Sequence, residues 1–270
     1  MQKITFLHQP SVPVEFHKGV VVQALELLPI EQRLAAAMAA GCNTFLLKTK
    51  DIFLDMLTDS GTNALSNQQL GAMMLADEAY AGSQSFDRLD ASVREFFGKQ
   101  FFLPVHQGRA AEHILAEVFV KPGDVVPMNF HFTTTRAHIE RKGATVRELI
   151  VDEVFQVKSN HPFKGNMDLK KLEDTIQEVG VKKIPFVRME VTTNLTGGQP
   201  VSLANLEAVR RITKRHGLLL VVDACLIAEN AWFIKQREQE HMDKSLQQII
   251  HRISKLADII YFSARKLGAA

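Results

Sequence analysis

Short apolar runs alternate along the chain with stretches in which apolar residues recur every three or four positions. Such runs are typical of buried strands, and the three-to-four spacing is typical of helices that bury one face. The predicted strands are, in chain order, residues 44–47, 52–57, 101–105, 125–130, 145–151, 184–191, 217–224 and 257–262.

The predicted helices lie between these strands, and two of them have clear ends. The helix at 30–40 follows Pro29, and Ser202 and Gly217 bracket the helix before the strand at 217–224. Strands that alternate with helices in this way indicate βαβ units. We therefore predict an α/β fold with a mostly parallel sheet and helices on both faces. The other predicted helices are residues 67–76, 87–97, 110–118, 133–142, 169–179 and 245–256, with a further helical region through Trp232 and Ile234.

Composition narrows the class of protein. The 270 residues suffice for one large α/β domain or two small ones. The net charge of +2, without a basic block, argues against a nucleic-acid partner. Cys42 and Cys225 stand in apolar surroundings, which predicts two free, buried thiols in a reducing compartment. The scattered histidines form no zinc spacing, and no run predicts a signal peptide or a membrane span, so we expect a cytoplasmic protein without a membrane partner.

Polar side chains follow several predicted strands at the point where each strand ends. Asp223 and Lys266 close the two last apolar runs, and Asn194 follows the strand at 184–191. The turn His106–Arg109 leads into a helix, whose amino terminus is a possible anion site. Parallel sheets bind ligands outside the carboxyl ends of their strands. A capping Asp, a solvated Lys and a plain β-to-α turn would explain the same residues without a site.

Two cofactors can be compared with this set of residues. A nicotinamide dinucleotide calls for a Gly-x-Gly-x-x-Gly string after the first strand, and the sequence has none. Pyridoxal phosphate needs a lysine, a carboxylate, a helix amino terminus and an aromatic ring. Lys266, Asp223, the Gln107–Arg109 turn and Phe132 meet those needs, so the pattern favours pyridoxal phosphate (PLP).

The sequence contains six long strings in this order: Leu57–Asn63, Asp77–Ser83, His106–Arg109, Phe132–Arg136, Gly197–Ser202 and Glu229–Lys235. They resemble the tyrosine phenol-lyase and tryptophanase family of PLP-dependent β-eliminating lyases, and the resemblance covers roughly residues 30 to 266. It implies the aspartate-aminotransferase-like (fold type I) large domain. It also implies that 1–56 form an amino-terminal arm and the start of a small-domain segment. Residues 57–270 would be the PLP-binding large domain, incomplete at its carboxy end, with the carboxy-terminal small domain missing. Family members are oligomers, which implies a homodimer or homotetramer.

The resemblance also implies cofactor contacts. Lys266 would form the Schiff base with PLP and later move the α-proton. Asp223 would pair with the pyridinium nitrogen, Phe132 would stack on the ring, and Asn194 would bond the ring hydroxyl. The residues that would hold the phosphate are Gln107, Gly108, Arg109 and Ser263.

Further roles concern an amino acid substrate and a monovalent cation. By resemblance, Tyr80 would be the general acid for the leaving group, and Thr133 matches the phenol-lyase form of a position that differs between the two activities. Thr58 and Ser60 would lie near the substrate. Gly61 and Glu78 would help to bind K⁺.

The resemblance leaves the reaction open. Thr133 favours tyrosine, cleaved to phenol, pyruvate and ammonia, whereas 163–166 and 234–238 resemble tryptophanase, which releases indole, at least as much. Leu226 replaces a family arginine that contacts the cofactor hydroxyl, and Arg265 replaces a family lysine with its charge kept. The alternatives are a truncated, non-catalytic remnant that binds PLP without turnover, and a transamination.

Overall fold

The computed structural model describes residues 26–55, 57–58 and 65–266. The chain divides into two compact units, Met1–Asp59 and Ser60–Ala270. The division lies within a few residues of the expected boundary between residues 56 and 57. The roles expected for the two predicted domains stay a prediction.

The first unit contains helix α1, Ile30–Ala39, close to its predicted span. The strand predicted at 44–47 is wrong, because the chain forms a 3₁₀ turn at Thr44–Leu46. The side chain of Asn43 accepts a hydrogen bond from the backbone N–H of Phe45, and such a local bond competes with strand pairing. Cys42 is exposed and has a positive φ of 58°, so its predicted burial is also wrong.

The strand predicted at 52–57 is wrong as well in the residues that the structure describes. A second 3₁₀ turn, Thr49–Asp51, precedes them. The carboxylate of Asp55 then accepts hydrogen bonds from the backbone N–H groups of Leu57 and Thr58. These groups are consequently used locally instead of in a sheet ladder.

The second unit is built on a parallel sheet, which in the described residues has five strands in the order β2-β1-β3-β4-β5. Register places Glu190, Asp223 and Tyr261 side by side at the carboxyl ends of β3, β4 and β5. The three side chains therefore project from one edge of the sheet. The strands are β1 Val125–Met128, β2 Thr145–Glu148, β3 Val187–Glu190, β4 Leu220–Asp223 and β5 Ile259–Tyr261.

The helices of this unit begin and end at residues suited to those positions. Ser202 caps α7 by accepting from the N–H of Asn205, and Gly217 ends it with a φ of 66°. In the described part of the chain, no helix combines the length and apolar character needed to cross a bilayer. The helices are α2 Asn67–Met74, α3 Gln84–Phe97, α4 Gly108–Phe119, α5 Thr133–Arg141, α6 Leu169–Val179, α7 Leu203–His216, α8 Ile227–Arg237 and α9 Leu246–Leu256.

Helices cover both faces of the sheet, as predicted. Leu220 and Val222 pack on one face with buried residues of α6, α7, α8 and α9. Val221 and Tyr261 point to the other face, where they pack with α4 and α5. This alternation follows from the two-residue period of a strand. Each fully buried aliphatic side chain contributes about 1.5–3 kcal/mol to folding, so both layers are held firmly.

One further strand prediction is wrong. Residues 101–105 are irregular, and Phe101 is largely exposed. Pro104 has no backbone N–H to give to a sheet ladder. Phe102 stacks instead on Phe86 of α3 at 6.3 Å between ring centres, which accounts for the apolar run.

Candidate active site

Asp223 lies at the carboxyl end of β4 and is buried. Its Oδ2 accepts hydrogen bonds from Nη2 of Arg188 at 2.6 Å and from the hydroxyl of Tyr261 at 2.9 Å. Its Oδ1 accepts from the backbone N–H of Cys225 at 3.0 Å. Because an unpaired buried carboxylate is costly, these three donors are what allow the acid at this place.

The amino terminus of α4 lies beside the ends of β4 and β5. Gln107 precedes the helix without a side-chain cap, so the first N–H groups are left for another acceptor. A methyl group added to Gly108 would approach Cβ of Ser263 to 3.2 Å and Sγ of Cys225 to 3.8 Å. A bare helix terminus closely faced by a hydroxyl has the donors that a phosphate group needs.

Lys266 and Phe132 face each other at the same edge. The Nζ of Lys266 lies 5.3 Å from the centre of the Phe132 ring, and its backbone N–H donates to the carbonyl of Ser263. Burial, followed by the nearby Asp223, raises the pKa of the Cys225 thiol, and the charge of Lys266 opposes that rise. The charge of Lys266 therefore acts on Cys225, whose thiol is also affected by Asp223.

Asn194 begins a 3₁₀ turn, Asn194–Thr196, after β3. Its backbone N–H donates to Oε1 of Glu190 at 2.9 Å. The turn is closed by a 2.6 Å hydrogen bond between the hydroxyls of Thr193 and Thr196. Since β3 lies next to β4, Asn194 is held at the edge that carries Asp223.

Arg188, Glu190, Tyr261 and Glu112 were not among the predicted site residues. Arg188 is fully buried and also bonds the Tyr261 hydroxyl, at 2.9 Å, and Oε2 of Glu190, at 3.3 Å. Burial opposes the charge of Arg188, but Tyr261, Asp223 and the glutamates outweigh it and raise its pKa. For Arg188 and Glu190, the signal available in the sequence is a charged residue inside the apolar run of a predicted strand.

Burial raises the pKa of both Glu190 and Tyr261. Burial raises the pKa of Glu190 to about 7, against the lowering effect of Arg188. Burial likewise raises the pKa of Tyr261 well above its ordinary value, so its hydroxyl keeps its proton. Tyr261 is therefore a hydrogen-bond donor toward carboxylates at neutral pH.

The predicted general acid, Tyr80, and the predicted cation residue Glu78 lie in the loop before α3. Tyr80 and Glu78 are exposed. Asp77 anchors their loop to α3 by accepting from the N–H groups of Gln84 and Ser85, both at 2.9 Å. Hydrogen bonds from Ser85 hold the pKa of Asp77 far below its usual range.

The remaining predicted residues fall in three places: at the start of α4 or α5, in the first unit, and outside the described residues. Arg109 is exposed in the first turn of α4, and Thr133 is exposed at the first position of α5, directly after Phe132. Thr58 belongs to the first unit, where its hydroxyl donates to Asp55 at 2.7 Å. Ser60 and Gly61 lie outside the described residues.

Within residues 26–55, 57–58 and 65–266, no group of three or more His, Cys, Asp or Glu side chains is arranged to hold a metal ion. The expected K⁺ site, which would use Gly61 and Glu78, stays a prediction.

Comparisons with known proteins find one family along most of the chain. The family described as beta-eliminating lyase matches residues 55–270. The chain is 46% identical over 252 residues to tyrosine phenol-lyase of Symbiobacterium sp. strain SC-1, covering 93% of this chain and 55% of that protein. It is 48% identical to tyrosine phenol-lyase of Intrasporangium calvum, covering 91% of this chain and 52% of that protein. The chain thus spans about half the length of the curated relatives it matches.

Solved structures agree on the fold. A threonine aldolase of Leishmania major aligns with a TM-score of 0.53 at 20% identity, covering 76% of this chain and 57% of that one. The SepCysS–SepCysE N-terminal domain complex aligns with a TM-score of 0.52 at 15% identity, covering 74% of this chain and 47% of that one. Together with the parallel sheet, they confirm the expected α/β fold of the fold type I large domain.

Proposed function

The chain belongs to the beta-eliminating lyase family, and from that premise we propose that it carries the cofactor-binding part of a PLP-dependent lyase. The proposed reaction is the β-elimination of tyrosine to phenol, pyruvate and ammonia. Tyrosine is preferred to tryptophan because the relatives cited above are tyrosine phenol-lyases. The proposed assembly is a homodimer or homotetramer in the cytoplasm, as the family resemblance implies.

The observation that carries the proposal is the meeting of four features at one sheet edge. The edge holds the carboxylate of Asp223, the bare amino terminus of α4 at Gly108, and Lys266 above Phe132. PLP, when bound, withdraws electrons from the α-carbon of an amino acid and so supports bond breaking there. The ring, the phosphate and the aldehyde of PLP each have a suitable partner among these residues.

The residues would divide the binding work by chemistry. The N–H groups at Gly108 and the hydroxyl of Ser263 would hold the phosphate, since a helix amino terminus favours an anion. The ring of Phe132 would cover one face of the cofactor and exclude water. Asp223 would take the ring nitrogen, and Asn194 would bond the ring hydroxyl. Gln107 and Arg109, at the same helix end, belong to the proposed phosphate set.

Proton transfers fall to Lys266 and Tyr80 in this proposal. Nζ of Lys266 stands over Phe132 and would hold the proton taken from the α-carbon. Tyr80 would donate a proton to the leaving ring, for which its loop must pack against the substrate. Thr133, beside Phe132, would contact the substrate ring, together with Thr58 and Ser60. K⁺ held by Gly61 and Glu78 is part of the same proposal.

Cofactor titration tests the proposal most directly. We expect the chain to develop a visible absorbance on addition of PLP, and Lys266→Ala to abolish it. Lys255→Ala, an exposed lysine on α9, is the matched control and should keep the absorbance. Pyruvate release from tyrosine then tests turnover. Absence of a Lys266-dependent absorbance in the unmodified chain contradicts the proposal.

A second candidate function is PLP binding without turnover. Leu226, where the family resemblance expects an arginine, favours it, because a cation near the cofactor hydroxyl would be lost. Absorbance without pyruvate would support this candidate. A keto acid formed from the substrate without release of ammonia would indicate transamination instead.

A further inference from the structure

We propose that Arg188 and Tyr261 are positioning residues that fix the direction of the Asp223 carboxylate toward the cofactor. The inference rests on the proposed function, since it assigns the cofactor as the partner of Asp223. Neither Arg188 nor Tyr261 was among the predicted site residues. Their contribution acts through Asp223 and not through contact with the reacting atoms.

The geometry around Asp223 comes from the register of three neighbouring strands. Asp223 is paired with Glu190 of β3 and with Tyr261 of β5. Arg188, two residues before Glu190, points to the same side of the sheet as Glu190 and reaches Oδ2 of Asp223 at 2.6 Å. The strands thus fix all three groups by their backbones, which leaves the side chains little freedom to reorient.

The hydrogen bonds of the group run in one direction. Nε of Arg188 donates to the Tyr261 oxygen at 2.9 Å, so the hydroxyl proton is directed elsewhere. Two carboxylates can accept that proton, Asp223 at 2.9 Å and Glu112 at 3.4 Å, and the shorter contact is to Asp223. Oδ2 of Asp223 consequently receives a charged donor and a neutral donor together.

Both oxygens of the Asp223 carboxylate accept hydrogen bonds, and the thiol of Cys225 is hydrogen-bonded to the same carboxylate. A carboxylate offers about four lone-pair positions. The N–H and O–H donors described above use two on Oδ2 and one on Oδ1, from Cys225. In the proposed site the ring nitrogen of PLP would be a further donor to this carboxylate.

Charge favours Asp223 over the other carboxyls that share Arg188. The guanidinium lies 2.6 Å from Asp223 and 3.3 Å from Glu190. Burial raises the pKa of Glu190 to about 7, so Glu190 takes up a proton more readily as the pH falls. The positive charge of Arg188 is therefore directed mainly to Asp223, which needs to be an anion to keep the ring nitrogen protonated.

Glu112 connects the same group to the two helices that flank the site. It is buried in α4, one turn after Gly108, and accepts hydrogen bonds from the hydroxyls of Thr134 and Thr135 in the first turn of α5. Those threonines follow Phe132 directly. Tyr261, within reach of both Glu112 and Asp223, thereby links the Asp223 position to the phosphate turn and the stacking ring.

The test compares Tyr261→Phe and Arg188→Lys with the unmodified full chain, using PLP as the probe. Tyr261→Phe removes one hydroxyl. Arg188→Lys keeps the positive charge but loses the several N–H donors of the planar guanidinium. We expect each to weaken PLP binding by on the order of tenfold and to shift the pH at which the bound cofactor's absorbance changes. Arg210→Lys, which alters the ion pair with Asp258 ahead of β5, is the matched control and should do neither.

The possible outcomes separate this inference from the proposed function. If the unmodified chain takes up PLP through Lys266 but both variants bind it with unchanged affinity and pH profile, the positioning role is wrong and the proposed function stands. If the unmodified chain takes up no PLP, both are wrong. Circular dichroism checks folding, and loss of fold in both variants would replace the positioning role with a purely structural one.

Discussion

The ammonium nitrogen of Lys266 lies 5.3 Å from the centre of the Phe132 ring, a distance at which a cation is attracted to an aromatic face. The two residues come from opposite ends of the sheet unit in sequence. Lys266 follows β5, and Phe132 precedes α5. Their contact holds the proposed reactive lysine over the ring that would cover the cofactor.

The first prediction concerns Phe132. Phe132→Leu keeps an apolar side chain but removes the ring, so we expect PLP binding to weaken by about two- to tenfold, from the loss of stacking worth about 0.5–1.5 kcal/mol. The dissociation constant from absorbance titration measures it. Phe155→Leu, at an exposed phenylalanine of the same unit, is the control. Equal affinity of the two variants would contradict the stacking role.

The second prediction concerns the approach of α4 to Ser263. Gly108→Ala places a methyl 3.2 Å from Cβ of Ser263, so Ser263 must move by a few tenths of an ångström. We expect the fold to persist and PLP affinity to fall. Gly71→Ala in α2 is the matched exchange, because its methyl meets open space. It should stabilise the chain by up to about 1 kcal/mol and leave PLP affinity unchanged.

The two glycine variants are compared by thermal unfolding and PLP titration. A Gly108→Ala chain that binds PLP as tightly as the Gly71→Ala chain would show that the helix amino terminus is not the phosphate site.

The third prediction is a pH dependence of stability through Glu190. Its pKa in the folded chain is raised to about 7, because burial and Asp223 outweigh the effect of Arg188. A raised pKa means that the stabilisation is fully present below the unfolded value of about 4.3 and is lost as pH rises through 7. The change is on the order of 4 kcal/mol, and Glu190→Gln should remove it.

Urea unfolding at pH 5 and pH 8 measures this change. The difference between the two pH values should be smaller in Glu190→Gln than in the unmodified chain. Glu178→Gln, an exposed carboxylate paired with Arg147, is the control and should follow the unmodified chain. Equal differences in all three chains would exclude Glu190 as the source.

The fourth prediction concerns the loop that carries Tyr80. Asp77→Asn weakens the hydrogen bonds to the start of α3, so we expect faster proteolytic cleavage within residues 77–83. The lowered pKa of Asp77 means that its contribution is present above about pH 4 and is lost in acid. Asp87→Asn, an exposed carboxylate in the first turn of α3, should leave cleavage unchanged. Similar cleavage of both variants would contradict the anchoring role.

The fifth prediction restores the cation at Leu226. Leu226→Arg should raise turnover of tyrosine, provided that the loss of this charge limits the reaction. The residue caps the amino end of α8, where a positive charge costs about 0.3–1 kcal/mol of stability. Leu226→Gln gives a polar side chain without the charge and serves as the control. If turnover does not rise above that of Leu226→Gln, the departure at Leu226 is irrelevant to the reaction.

The helices and the five strands of the sheet were readable in the sequence, because capping residues and apolar runs are local signals. Ser202 and Gly217 mark the ends of α7 by capping, which involves residues a few positions apart. The strands predicted at 44–47 and 101–105 failed for the opposite reason. Apolar character alone does not make a strand, since its N–H and C=O groups need a partner strand that is distant in the chain.

The sequence by itself also identified residues at strand ends that belong to the proposed site. Asp223 and Lys266 close apolar runs, and family strings mark the turn at Gly108. Only the tertiary structure decided how Asp223 is supported. Arg188 and Tyr261 are 73 residues apart, and both meet Asp223 because parallel register aligns three strands. A contact of that kind depends on which strands are neighbours and on their alignment, and a local pattern of apolar and polar residues contains neither.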